Sequence, residues 1–258
     1  MPKTMEKRPV IRFTFWPTVL AVLLLSIFLG LGFWQLDRAK QKKAIQQAYD
    51  KKGLAPAIKL KGKVVDAGKL QFHSIVVRGT YETRHQILLD NRINNRRAGY
   101  HVITPLKISG SNTRVLINRG WIPLGLSRKE LPVLPTPGKV VEVSGIATVP
   151  GKRFILRRPK EIIKGGWPTL WQTMDIKRFR DAVSYPVQPV VVLLDPGSKA
   201  GGFKRNWRRL DRIVSIHQGY AATWYTMALA VIVGYFLMAW RIVRREDDAE
   251  ITQRSEEE

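Results

Sequence analysis

The sequence predicts an integral membrane protein in which two transmembrane α-helices flank a mainly antiparallel β domain, a barrel or sandwich of α+β character. Residues 13–36 and 213–240 carry no charged side chain over 24 and 28 positions, and a helix of either length spans the ~30 Å hydrocarbon core of a bilayer. Between them, short apolar or alternating runs recur, separated by Gly, Pro, Asn and Ser, which is the pattern of strands. The average hides both features: over 258 residues the chain is 45% hydrophobic and 25% charged, as an ordinary globular protein would be.

Taken in order, residues 1–12 form a tail with four Lys+Arg and one acid. The first span, 13–36, is longer than the ~7–15 apolar residues of a secretory leader, and no A-x-A-like site precedes the charges of "DRAKQKK". It is therefore expected to remain as an anchor. Phe15, Trp16 and Trp34 in this span, and Tyr220, Trp224 and Trp240 in the second, suit the aromatic belts at a membrane boundary.

Residues 37–212 are the domain. A basic helix is expected over 37–50, and strands in "SIVVRGTY", "HQILLDNR", "GYHVITPLKI", "TRVLINRG", "VVEVSGIATV" and "YPVQPVVVLLD". One helix, "DIKRFRDAV" at 175–183, has its acid at the N-terminal end, where the helix dipole favours it. Proline marks 125–139 as a loop, and Gly and Ser mark 196–206 as a linker into the second span. The second span, 213–240, is followed by a tail, 241–258.

The net charge of +24 belongs to the domain. The tails are +3 and −3, so the 36 basic and 12 acidic residues of the middle carry the whole excess. Such a domain is drawn to the anionic head groups of a lipid bilayer, or to an acidic partner or ligand. No nucleic-acid motif accompanies the charge, and no nucleic acid is expected as a partner. With six Lys+Arg in 37–52 and five in 204–212, a naive positive-inside count puts the domain in the cytoplasm, but the count loses force for loops beyond ~60 residues. The lack of cysteine excludes disulfides and thiolate metal sites. No H-E-x-x-H, G-x-S-x-G, phosphate loop or paired-carboxylate motif is present, so no enzyme is expected.

A weak internal echo suggests a site. "LLDNR" and "LINRG" each end an apolar run in Asn-Arg. If 86–92, 99–108 and 113–119 form a meander, the first and third strands run the same way and their ends lie together. That gathers Asn91, Arg92, Asn118 and Arg119 with Tyr100 and His101, and with Trp121 beyond a turn that Gly120 makes with positive φ. These residues either have a structural part, with the Asn side chains capping turns and the arginines pairing with acids such as Asp90 or covering apolar surface, or form a guanidinium and indole surface for a carboxylate-bearing ligand or an acidic protein.

The pieces "LGFWQLDRAKQK", "RGTY", "LLDNRINNRRAGYHVITPL", "VLINRGWIP", "GGWPTLWQTMD" before "PVVVLLDP", and "IHQGYAATWYTMAL" resemble, in this order and over nearly the whole chain, the surfeit locus protein one family, the Shy1-like cytochrome c oxidase assembly factors. The resemblance implies two spans in a bacterial or mitochondrial inner membrane, with both termini cytoplasmic and the domain periplasmic in a bacterial member. The short first tail, with no Arg- and Ser-rich transit peptide, favours a bacterial source. The family role is assembly of haem-copper cytochrome c oxidase. Its bacterial members bind haem A and assist its insertion into the catalytic subunit, so the implied partners are that subunit and the haem A biosynthesis machinery. The segment "KRFILRRPKEIIKGGW" is more basic than the family pattern leads one to expect.

The resemblance also implies a haem-linked histidine at His217. Tyr220, Ala221 and Trp224 follow it at i+3, i+4 and i+7 and share its helix face, which could hold a flat macrocycle. Trp34 and Gln35 of the first span are expected at the same depth, and Arg209 lies in a basic stretch, "KRNWRRLDR", suited to haem propionates. Without the resemblance, His217 reads rather as an interfacial side chain bonded to water or head groups. The alternative function is a membrane scaffold that stabilises the oxidase subunit during assembly without binding haem.

Overall fold

The computed structural model describes residues 14–125, 131–151, 163–164, 166–207 and 211–256, of which the side chains of 163–164, 211–212 and 242–256 are excepted. The chain order is α1 (Phe15–Gly53), β1 (Ile58–Lys59), α2 (Ala67–Leu70), β2 (Ser74–Tyr81), β3 (Ile87–Asn94), β4 (Arg97–Ile108), β5 (Arg114–Pro123), β6 (Val141–Thr148), β7 (Ile163–Lys164), β8 (Trp167–Pro168), β9 (Leu170–Trp171), α3 (Ile176–Asp181), β10 (Val187–Leu194) and α4 (Asp211–Glu256). Two compact units result, residues 1–46 with 209–258, and residues 47–208. The expected first tail, 1–12, and most of the basic segment 152–164 lie outside the described residues.

The first unit is a pair of helices. The expected basic helix is not a separate element, because α1 runs unbroken from the apolar span into it, and α4 likewise continues past 240. Residues Phe15–Gly53 and Ile213–Arg241 are long and apolar enough to cross a membrane, and only 11% of the most apolar window of each is buried. That exposure suits lipid rather than a protein interior. The buried positions are Ala21, Gly32, Ala39 and Gln46 on α1, and Ala221, Ala228 and Ala239 on α4, all small except Gln46. Successive positions lie seven or eleven residues apart, which is two or three helical turns, so each set forms one seam that lets the backbones approach. Gly30 and Gly219 stand off the seam with open space around them.

The second unit is a closed β-barrel. Antiparallel pairs join β2 to β6, β6 to β10, β5 to β4 and β4 back to β2, while β10 and β5 pair in parallel. Strand β3 pairs with the first half of β4, opposite β5. The parallel β10–β5, β1–β2 and β3–β9 pairs qualify the expected antiparallel sheet, although most of the barrel contacts are antiparallel.

Burial explains why some strands alternate and others do not. Strands β2 and β6 show one buried and one partly exposed face, and their side chains Ile75, Val77, Val143 and Ala147 fill the barrel. Strands β5 and β10 are buried on both faces. Val115, Ile117, Val190 and Val192 point inward, while Leu116 and Val191 meet a second core under α3 and the β8–β9 segment, built from Trp167, Trp171 and Phe179. Such strands read as continuous apolar runs. Helix α3 starts where its acid predicts, with the Asp175 side chain accepting from the Arg178 N–H at 3.0 Å. The supposed linker 196–206 is not free. The Phe203 N–H donates to the Arg119 carbonyl at 2.7 Å, and Lys204 bridges Trp121 in an antiparallel pair.

Candidate functional site

Both Asn-Arg echoes are β-bulges rather than strand ends. Between Leu89↔His101 and Arg92↔Gly99, Asp90 and Asn91 stand opposite Tyr100 alone. On the other edge of β4, Arg119 and Gly120 stand opposite Val102 alone, between Ile103↔Asn118 and His101↔Trp121. A two-against-one bulge bends its strand and re-aims side chains. In each, one residue takes the left-handed backbone region, Asn91 at φ +56° and Gly120 at φ +120°. Each bulge is also closed by its own side chain: the Asn91 N–H donates to Asp90 Oδ1, and the Gly120 N–H to Asn118 Oδ1. Trp121 thus lies within β5, not beyond a turn. Its indole N–H donates to the Arg92 carbonyl at 2.7 Å, tying the two bulges together.

Of the two parts open to Arg119, structural or docking, burial leaves the structural one, because the side chain is wholly buried. Its position alternates with Val115 and Ile117, so it enters the barrel end. There it donates to the carbonyls of Gly201 and Pro135 and to Thr136 Oγ1, with its guanidinium 4.9 Å from the ring centres of both Tyr81 and Phe203. None of these partners is a carboxylate. Burial lowers the Arg119 pKa from its usual value, and burial pushes the Tyr81 phenol up to about 12 against the pull of Arg119 and Arg205. Tyr81 donates to the Ala200 carbonyl. Arg119 is thus a cross-link between β5 and two loops, unavailable as a docking surface, and its sequence neighbourhood held no sign of Tyr81, Thr136 or Phe203.

Of the other predicted residues here, Asn118 and His101 meet. Because Asn118 Oδ1 faces the Gly120 N–H, its amide nitrogen faces His101 Nδ1 at 3.3 Å, and the Arg92 guanidinium donates to the Gln172 carbonyl. Tyr100 is fully buried in a small core with Leu88, Val102 and Ile122.

In the helix pair, His217 Nδ1 and Gln35 Oε1 lie 2.7 Å apart. An imidazole that donates from Nδ1–H to a carbonyl oxygen keeps its lone pair on Nε2, the arrangement that holding partners impose on ligating histidines. The face shared by His217, Ala221 and Trp224 is not an open platform. Ala221 is 1% exposed, and Trp224 stacks on Phe28 with centroids 5.8 Å apart, so this stripe packs on α1. Tyr220 and Trp34 remain outside it, 55% and 50% exposed, and the Arg38 guanidinium sits 5.7 Å from the Trp34 ring centre. Arg209 lies outside the described residues. Of its basic stretch, Arg205 donates to the Ser198 carbonyl and the Lys204 ammonium sits over Trp121. Phe28, one heptad before Gln35, went unnoticed because cross-helix register is invisible within one span.

A family model described as the SURF1 family matches residues 22–229. The SURF1-like protein of Rickettsia felis is 26% identical over 233 residues, covering 88% of this chain and 98% of its own. The SURF1-like protein of Dictyostelium discoideum is 25% identical over 250 residues, covering 81% and 91%. Surfeit locus protein 1 of Mus musculus is 24% identical over 237 residues, covering 84% and 72%.

Proposed function

The chain belongs to the SURF1 family, and from that premise we propose that it is an assembly factor for haem-copper cytochrome c oxidase that binds haem A and assists its insertion into the catalytic subunit. It works as a two-pass protein of a bacterial inner membrane, with both termini cytoplasmic and the β domain periplasmic. Haem A is cargo here, and one axial imidazole suffices to hold haem iron. The observation that carries this reading is the His217–Gln35 pair. Gln35 orients the ring and fixes the proton on Nδ1, leaving Nε2 as the donor atom for iron. Tyr220 and Trp34 offer exposed aromatic surface next to the pair in sequence.

The test is haem content. Protein purified from cells that make haem A is expected to carry it, as read by spectrum and by extraction. His217→Ala, still folded and inserted, loses most of it, whereas His73→Ala, His85→Ala and His101→Ala keep it. Gln35→Leu, which leaves the ring unoriented, lowers retention about 10–100-fold. Wild-type haem content in folded His217→Ala would overturn the ligand assignment. The stripe packed by Trp224 against Phe28 would then favour a scaffold that holds the oxidase subunit without haem.

A further inference from the structure

The β domain holds a cavity of about 240 Å³ on the outer face of the sheet, away from the barrel interior. One wall is apolar, formed by Leu89 of β3, Ile103 of β4 and Val191 of β10, with Met174 from the segment before α3. The other wall holds Arg92, His101 and Asn118, the side chains that the two bulges gather. Among the described residues that line it, none is acidic.

Proton placement gives the polar wall one sense. The Gly120 N–H fixes Asn118 with its oxygen turned to the backbone and its amide N–H on His101 Nδ1. A neutral His101 therefore carries its own proton on Nε2 and acts there as a donor. The Arg92 guanidinium, anchored to the Gln172 carbonyl, can only donate. A cation and an imidazole donor facing an aliphatic wall match an anion with an apolar body, and the excess positive charge of the domain raises the local concentration of anions. The volume of about 240 Å³ exceeds the ~150 Å³ of a cavity that holds benzene, so it admits a chain of the size of hexanoate.

We propose that this cavity binds a small aliphatic carboxylate, with its carboxylate held by Arg92 and His101 and its chain against Leu89, Ile103 and Val191. The site lies wholly within the β domain and does not depend on haem binding by the helix pair.

Ligand-observed saturation-transfer NMR on the full-length protein in detergent, with hexanoate, hexanol and hexylammonium as probes, tests the assignment. Hexanoate is expected to bind, hexanol more weakly, and hexylammonium not at all. Arg92→Gln is expected to lose about tenfold in hexanoate affinity, the scale of one charge-assisted hydrogen bond, with hexanol unaffected. Thr173→Trp, which fills the cavity from a half-buried lining position, abolishes binding of both. Absence of hexanoate binding, equal binding of hexanoate and hexylammonium, or full hexanoate affinity in Thr173→Trp would each overturn the proposal, and the wild-type probe comparison stands even if a variant misfolds.

Discussion

Replacing Gly120 by Val tests the bulge that joins β5 to the 200–205 segment. A Cβ at this position would lie 2.8 Å from the Lys204 carbonyl oxygen, 2.9 Å from Arg205 Cγ and 3.0 Å from the Phe203 carbonyl carbon, and the backbone sits at φ +120°. Two of those three contacts are backbone, and that backbone is held by the Phe203 N–H on the Arg119 carbonyl and the Trp121 N–H on the Lys204 carbonyl, both at 2.7 Å. It cannot withdraw without breaking the pairing. A β-branched residue forced into this region costs about 1–3 kcal/mol, and the overpacking adds about 1–3 kcal/mol. A midpoint loss of roughly 4 kcal/mol corresponds to ~8–16 °C for a domain of this size. Gly125→Val is the matched control, because nothing lies within 4 Å of its Cβ. Thermal unfolding of the detergent-solubilised protein, followed by circular dichroism, should show a large drop for Gly120→Val and almost none for Gly125→Val. Equal midpoints in both variants would refute the bulge as the reason for glycine.

Arg119→Met should lower the unfolding free energy measured in urea by roughly 1–3 kcal/mol, the cost of leaving acceptors such as the Gly201 carbonyl without a donor; an unchanged free energy would show that water replaces the guanidinium. His85, 2.8 Å from the Tyr185 hydroxyl, has its pKa lowered by burial first and then by Arg84, against the opposing Glu82. The folded state therefore favours neutral His85, and its stabilisation is present above the usual value of about 6.5 and lost as pH falls below it. His85→Gln should flatten the fall in thermal midpoint between pH 7 and pH 5, and an identical slope in both proteins would refute this. Tyr81 and Tyr185 are both pushed up to about 12 by burial, so stability present below pH 10 is lost as pH rises toward 12, and wild-type stability that stays level over that range would contradict it. Gly32→Leu, whose Cβ would meet Tyr225 at 2.7 Å, should disrupt the helix pair and promote aggregation, while Gly30→Leu, with open space, should not; size-exclusion profiles that match would remove Gly32 from the seam.

Much of the fold was legible because burial has a period. Strands β2 and β6 alternate because one side faces the barrel and the other is partly exposed, and α3 announces itself through a capping acid. Strands β5 and β10 also stood out as apolar runs, but their pairing in parallel with each other could not be read. Two-sided burial erases the alternation that would mark which face turns inward, and nothing local distinguishes a parallel neighbour from an antiparallel one. The extension of α1 through its basic half was hidden for a different reason. A change from apolar to charged composition marks a change of surroundings, and an α-helix crosses it without a break because its hydrogen bonds are internal.

The candidate sites show the same division between what is local and what is not. The Asn-Arg echo pointed to residues that gather in space, Arg92, His101, Asn118 and Trp121, but it mistook a bulge for a strand end. For Arg119, which the sequence left as either a structural group or part of a docking surface, the continuing strand decides for the structural one. A strand that ended there would leave the guanidinium at the surface, whereas a strand that continues keeps the alternation with Val115 and Ile117 and carries Arg119 into the barrel. The same bulge then turns the other side chains outward over the sheet, where Asn118 sets the proton on His101. One inserted residue thus places a structural cation inside the barrel and a donor wall outside it, which is why mutation at Gly120 should disturb both stability and the cavity, whereas mutation at Arg92 should disturb chiefly the cavity, with its bond to the Gln172 carbonyl.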